Sequence, residues 1–272
     1  MASWISGHRW PISITLGVAI FLAVGAGLLW VLVFRNRAIP VTVADALRNY
    51  REQRADPPRA ADSHLPPVGV YAYDTTGFEQ LNVSGTRRAW PRVTAITVTD
   101  QGCGVNLQWD GLAEHQEDTS VCPGRPSGSG SDPTLWWQSS SSTVGFFGLV
   151  THQQLSCDPG SALRPATNTS GQTWSFQCRS VDDTWRVTGH TVRVENVRVG
   201  RTEVPALHVR FDIAISGSET GNSPIDYWFA LDRSEIVRVQ STSDVAQGSS
   251  PFGAVRYHDE YRLQLTSLTP LT

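Results

Sequence analysis

The stretch ALHVRFDIAIS, Ala206–Ser216, limits what the C-terminal half of this chain can fold into. Leu207, Val209, Phe211, Ile213 and Ile215 alternate with His208, Arg210, Asp212 and Ala214. Side chains that repeat every second residue share one face of a strand, so this segment is a strand with one buried and one wet face. VRYHDEYRLQL repeats the pattern: Val255, Tyr257, Tyr261, Leu263 and Leu265 share a face, and Asp259 falls in the same register. IDYWFALDRSEIVRVQ reads as a hairpin turning at Asp232–Glu235. Strands of this kind, joined by hairpins and apolar on one face, predict a large antiparallel sheet.

The same reading extends upstream. GVYAYDTTGFEQLNVSG predicts a hairpin turning at Asp74–Gly77, and Val93–Thr99 and Val105–Trp109 predict strands joined through Asp100–Gly104. A third strand over Glu114–Val121 runs back beside them. VGFFGLVTHQQL reads as a short helix between strands, and Arg125–Pro133 (RPSGSGSDP) as an exposed loop. The expectation is about ten strands, with boundaries good to a few residues. Before the sheet, VTVADALRNYREQ carries a capping box, Thr42 with Asp45 three residues on. Val43, Ala46, Leu47 and Tyr50 recur at helical spacing, a stripe suited to docking on the sheet and short for a membrane-surface helix. DPPRAADSHLPP is a linker by composition.

Four cysteines, Cys103, Cys122, Cys157 and Cys178, all lie in the β-rich part. In a meander through Asp100–Gly104 the third strand brings Cys122 to the end where Cys103 sits between two glycines. A Cys103–Cys122 disulfide would pin that turn, leaving Cys157 with Cys178. Four cysteines allow three connectivities, of which this sequential one is expected. No two have the short spacing of a zinc knuckle.

Ile12–Phe34 contains no charged residue. At 1.5 Å per residue it reaches about 34 Å, enough to cross the hydrocarbon layer. Trp10 and Trp30 lie near its ends, and Arg9, Arg35 and Arg37 bracket it. It is long for a signal-peptide core and reads as an uncleaved single-pass anchor. The arginines after it favour a cytoplasmic C-terminal domain, whereas disulfides persist in oxidising compartments. Long domains translocate largely regardless of flanking charge, so the expected location is the plasma membrane with the C-terminal domain extracytoplasmic. The expected organisation is a short cytoplasmic tail (1–11), the transmembrane helix (12–34), a juxtamembrane helix and linker (35–68) and the antiparallel β domain (69–272).

The leading VADALRNYREQ and the block VRVENVRVGRTEVPALHVRFDIAISGSETGNSPIDYWFALDRSEIVRV resemble the periplasmic lipoprotein-carrier (LolA-like) half-barrels. VYAYDTTGFEQL and ITVTDQGCG are similar to segments of their uncharacterised, membrane-anchored actinobacterial envelope relatives. The resemblance covers roughly residues 41–268 and its motifs are structural. It implies a mostly β, α+β fold: a large curved antiparallel sheet, a half-barrel with one or two helices, preceded here by a single transmembrane helix. It further implies an apolar cavity holding a lipid or other hydrophobe, for which Tyr257, Asp259, Tyr261, Trp228 and Phe211 are the candidate lining residues. A permanent anchor departs from a freely diffusing carrier.

Chemistry is sparse. A net charge of −3 with no basic run longer than Arg87-Arg88 excludes a nucleic-acid footprint. No nucleophile elbow, P-loop or dinucleotide fingerprint occurs, so no catalytic residue is expected, no enzyme activity and no cofactor. EHQED puts His115 and Glu117 on one strand face, half a metal site with no further ligand identifiable, and no metal is expected. Asp259, turned towards the apolar side, must be paired or protonated. Two functions follow. One is a membrane-tethered module binding a lipid or other hydrophobe in a concave sheet. The other is a non-enzymatic envelope scaffold or assembly protein with a filled interior and an envelope protein as partner.

Overall fold

A computed structural model describes residues 27, 38–53, 64–82, 85, 87–124, 134–147, 149–250 and 253–272. Two compact units divide the chain: 38–144 with 151–272, and 1–37 with 145–150. In the second unit the described residues include the ends of two strands, Leu135–Phe146 and Leu149–Cys157. The expected anchor over Ile12–Phe34 and the loop over Arg125–Pro133 lie outside the described residues, Gly27 excepted. Among the described residues no helix is long and apolar enough to cross a membrane.

The larger unit begins with helix α1 (Val43–Gln53). Its capping box is reciprocal: the Asp45 amide donates to Thr42 Oγ1 at 3.1 Å, and the Thr42 amide to Asp45 Oδ2 at 3.1 Å. Ala46 and Tyr50 are buried against Val70 and Ala95, with Val43 and Leu47 beside them. The apolar stripe therefore docks on the protein's own sheet.

Among the described residues fifteen strands follow: β1 (Gly69–Leu81), β2 (Arg87–Ala89), β3 (Val93–Gln101), β4 (Gly104–Leu112), β5 (His115–Pro123), β6 (Leu135–Phe146), β7 (Leu149–Cys157), β8 (Ala162–Arg164), β9 (Thr173–Arg179), β10 (Asp183–Val199), β11 (Thr202–Gly217), β12 (Glu219–Asn222), β13 (Ile225–Ala230), β14 (Ile236–Ser250) and β15 (Gly253–Leu265). All belong to one sheet in the order β10-β9-β7-β6-β5-β4-β3-β1-β15-β14, then β12 and β13 side by side with β11. The pairings among the described residues are antiparallel, as for β1 with β15 and β4 with β5.

The half-barrel expectation is corrected here. The long hairpin β10–β11 pairs from Asp183↔Gly217 to Val199↔Thr202. Because β9 holds the other edge of β10, while β13 and β12 hold the other edge of β11, this hairpin joins the two ends of the sheet into a barrel of twelve strands. Closure pairs backbone groups that an open half-barrel would leave at two edges. Two local readings are corrected as well. The expected turn at Asp74–Gly77 is absent, since β1 runs unbroken from Gly69 to Leu81. Gly77 bears the turn-like signal for another reason: its φ is +120°, and a Cβ there would strike the Glu260 backbone on β15. The helix expected within VGFFGLVTHQQL is instead the end of β6 and the start of β7.

The alternating faces point into the lumen. Leu207, Val209 and Phe211 of β11 and Leu263 and Leu265 of β15 are fully buried. The walls press on each other: the rings of Trp137 (β6) and Phe211 lie 6.2 Å apart. Along the sheet these strands are four steps apart, or about 19 Å at normal strand spacing, so the contact crosses the interior. Within the wall, Tyr73 Oη on β1 donates to the Ile236 carbonyl on β14 at 2.6 Å. Two disulfides staple the wall in the expected pairs, Cys103–Cys122 and Cys157–Cys178. The second joins residues directly opposite each other on β7 and β9.

Candidate functional site

One region of the lumen is charged. β1 and β15 place Glu79 directly opposite Asp259, and β2 adds Arg88 opposite Glu79 on its other edge. His115 opens β5, and Glu117 follows two residues later on the same face. Glu79, Arg88, His115 and Asp259 are all buried.

His115 bridges two carboxylates. Its Nδ1 lies 3.0 Å from Glu79 Oε2 and its Nε2 3.1 Å from Glu117 Oε1. Glu79 also accepts the Tyr257 hydroxyl at 2.9 Å, and its other oxygen sits 2.5 Å from the Arg88 guanidinium. Arg88 in turn meets Glu114 at 2.8 Å. Trp90 packs edge-on to His115 with ring centres 4.8 Å apart, and Trp109 does so at 5.5 Å. Gly111 leaves room for this cage, since a Cβ there would crowd the rings of Trp90 and Trp109.

Burial alone would make the His115 imidazole less basic, but the hydrogen bonds and charges of Glu117 and Glu79 outweigh it and raise its pKa to about 10. Burial pushes the Asp259 carboxyl up to about 8; the charges of Glu117 and Glu79 add to this, and His115 and Tyr257 act against it. Both shifts favour the protonated form of these two groups at neutral pH. Asp259 Oδ1 is buried without a hydrogen-bond partner among the described residues.

A cavity of about 40 Å³ adjoins the cluster, lined by Glu117, Thr119, Trp109 and Tyr261 on one side and by Tyr227 and Leu163 among others. A second, of about 10 Å³, lies between Tyr71, Tyr73 and Ile236. The first has room for two or three waters.

Of the residues the sequence singled out, Tyr257, Asp259 and Tyr261 converge here. Phe211 lies elsewhere in the lumen, among the rings of Trp137, Trp174 and Phe176. Trp228 pairs with His208 across β11 and β13, sharing the outer face with Arg210 and Asp226. It stacks on His208 at 4.1 Å and donates to Glu195 at 2.6 Å, so it does not line the lumen. Sequence reasoning missed Glu79 and Arg88. The signal for Glu79 was its even spacing from Tyr71, Tyr73 and Thr75, concealed by reading a turn between them.

No protein-family model matches the chain, and no curated protein matches it. Among solved structures, the hypothetical lipoprotein YmcC from Escherichia coli (K12) is similar over 84% of this chain and 98% of that chain, with 12% identity and a TM-score of 0.32. An identity and a score that low carry no argument about what this chain does.

Proposed function

We propose that this chain is a membrane-tethered barrel of the cell envelope that stands outside the plasma membrane and acts through its surface, as a non-enzymatic scaffold or assembly protein with an envelope protein as its partner. The close packing of the lumen among the described residues supports the reading. Pockets that enclose a lipid-sized ligand run to about 300–1,000 Å³, whereas the cavity beside Glu117 measures about 40 Å³. The Trp137–Phe211 contact runs across the space an acyl chain would need.

The envelope setting rests on separate support. Ile12–Phe34 has the length and apolarity of a bilayer span. Two disulfides belong in an oxidising compartment. The LolA-like resemblance agrees with that setting, but the cargo it implies fits poorly with a closed, packed barrel.

Native mass spectrometry of the full-length protein, released from nanodiscs, tests the reading. The expected spectrum shows the bare chain with both disulfides intact. A lipid retained at fixed stoichiometry would restore the hydrophobe-binding function. Maleimide applied to unreduced membranes is expected to label none of the four cysteines; labelling would overturn the extracytoplasmic placement.

A further inference from the structure

We propose that His115, Glu117 and Asp259 form a binding site for one divalent transition-metal ion inside the barrel. One nitrogen of His115, one oxygen of Glu117 and one oxygen of Asp259 lie within 4.8 Å of one another. Four-coordinate zinc holds nitrogen and oxygen ligands at about 2.0–2.2 Å, which sets neighbouring ligands about 3.4 Å apart. Nε2 of His115 and Oε1 of Glu117 are already closer than that, at 3.1 Å. The remaining separations, up to 4.8 Å, are ones that rotation of the two carboxyl groups would have to close.

Three further features separate this cluster from a chance meeting of acids. Asp259 is 4% exposed, and its Oδ1 has no hydrogen-bond partner among the described residues. Leaving a buried oxygen without a partner is costly, and a metal ion would satisfy it. Glu79 accepts from Nδ1 of His115, which leaves Nε2 as the ligating nitrogen. A carboxylate behind a ligating histidine is the usual outer support of such sites, and Arg88 and Tyr257 in turn hold Glu79. Finally, Glu117 borders the 40 Å³ cavity, and its side chain is 34% exposed. The cavity provides space for the water that completes coordination and the exposed carboxylate provides a way in. One imidazole with two carboxylates favours Zn²⁺, Mn²⁺ or Fe²⁺ over the softer ions that thiolates select.

The site is independent of the scaffold reading: a metal-free barrel would leave that reading intact, and a copurified lipid would leave this one intact. The test uses full-length protein in detergent, stripped with EDTA, loaded with Zn²⁺ and dialysed, with metal counted by plasma mass spectrometry. One zinc per chain is expected, and Co²⁺ in its place should give the intense visible bands of a four- or five-coordinate ion. Asp259→Asn and Glu117→Gln should each weaken zinc binding at least tenfold while retaining the wild-type circular dichroism spectrum. Because His115→Gln is a core change that could unfold the barrel, the two carboxylate variants carry the test. Less than stoichiometric zinc, or retention unchanged in both variants, would overturn the assignment and place any bound zinc elsewhere, for example at His258–Asp244.

Discussion

Glu79 and Asp259 face each other across the β1–β15 ladder, two acids at directly opposed positions, both buried. Like charges so placed destabilise a sheet. The barrel accommodates them by giving Glu79 three partners, Arg88, His115 and Tyr257, and by burying Asp259 where its protonated form is favoured.

That arrangement gives stability a definite pH dependence. His115 binds its proton more tightly when folded, with a pKa near 10 against an ordinary 6.5. Its contribution is whole below about pH 6.5 and is lost as pH rises through 10. Asp259 acts with the same sign, from its ordinary 3.8 to about 8, as does Glu235, which burial and Asp232 push up to about 7. Thermal melts of EDTA-treated protein should therefore show Tm falling by several degrees between pH 6 and 9.5. Asp259→Asn keeps the shape but cannot ionise, so it should melt above the wild type at pH 9. A flat or rising profile would contradict a protonated Asp259 beside a cationic His115.

Arg88 offers a sharper probe of the same cluster. Its side chain is 2% exposed and lies against Glu79, which is 0% exposed. Removing one member of a buried ion pair costs about 3–5 kcal/mol because the other charge is left behind. Arg88→Met should lose that much in urea unfolding, and adding Glu79→Gln should recover part of it. Simple additivity of the two variants would show that the pair is not coupled.

How much of this was legible follows from the range of each interaction. The faces of Leu207–Ile215 and Tyr257–Leu265 are local period-two patterns, and the lumen takes both sets as read. The disulfides were readable because a meander returns Cys122 to Cys103 within neighbouring strands. Ring closure was not readable, since nothing in the β10–β11 hairpin itself tells whether its outer edges find partners. Nor was the cluster: the spacing of His115 and Glu117 and the register of Asp259 are local signals, but β5 and β15 lie four strands apart in the sheet, and only the curvature of the wall brings them together. Trp228 failed for a different reason. Tyr227, Trp228, Phe229 and Ala230 are consecutive apolar residues, and such a run marks no face.

The disulfides should stabilise unequally with respect to fold but similarly in energy. Each closes a loop of similar length, with sequence separations of 19 and 21, for which chain entropy gives about 3 kcal/mol. Cys157→Ala with Cys178→Ala removes a link between facing strands of the barrel wall, whereas Cys103→Ala with Cys122→Ala frees the turn between β3 and β4. Both double variants should unfold at lower urea, by about 3 kcal/mol each. Hydrogen exchange should rise in β7 and β9 for the first and near Gln101–Gly104 for the second. A loss far below about 3 kcal/mol in either double variant would show that loop-closure entropy does not account for that bond's contribution.

Phe211 tests whether the lumen is filled or merely narrow. Its ring is 0% exposed and meets those of Trp137, Trp174, Phe176 and Tyr227, at centroid distances of 6.2, 5.9, 6.3 and 6.1 Å. Truncating a buried phenylalanine costs about 3–5 kcal/mol when the surroundings cannot collapse. Closure through β10–β11 restrains collapse here, because Phe211 lies on the strand that joins the two ends of the sheet. Phe211→Ala should therefore lose stability at the upper end of that range and open an apolar void able to take benzene or xenon. Benzene should raise the Tm of the variant and leave the wild type unchanged. A wild-type protein that benzene already stabilises would instead have a vacant apolar lumen, and the scaffold reading would give way to a binding one.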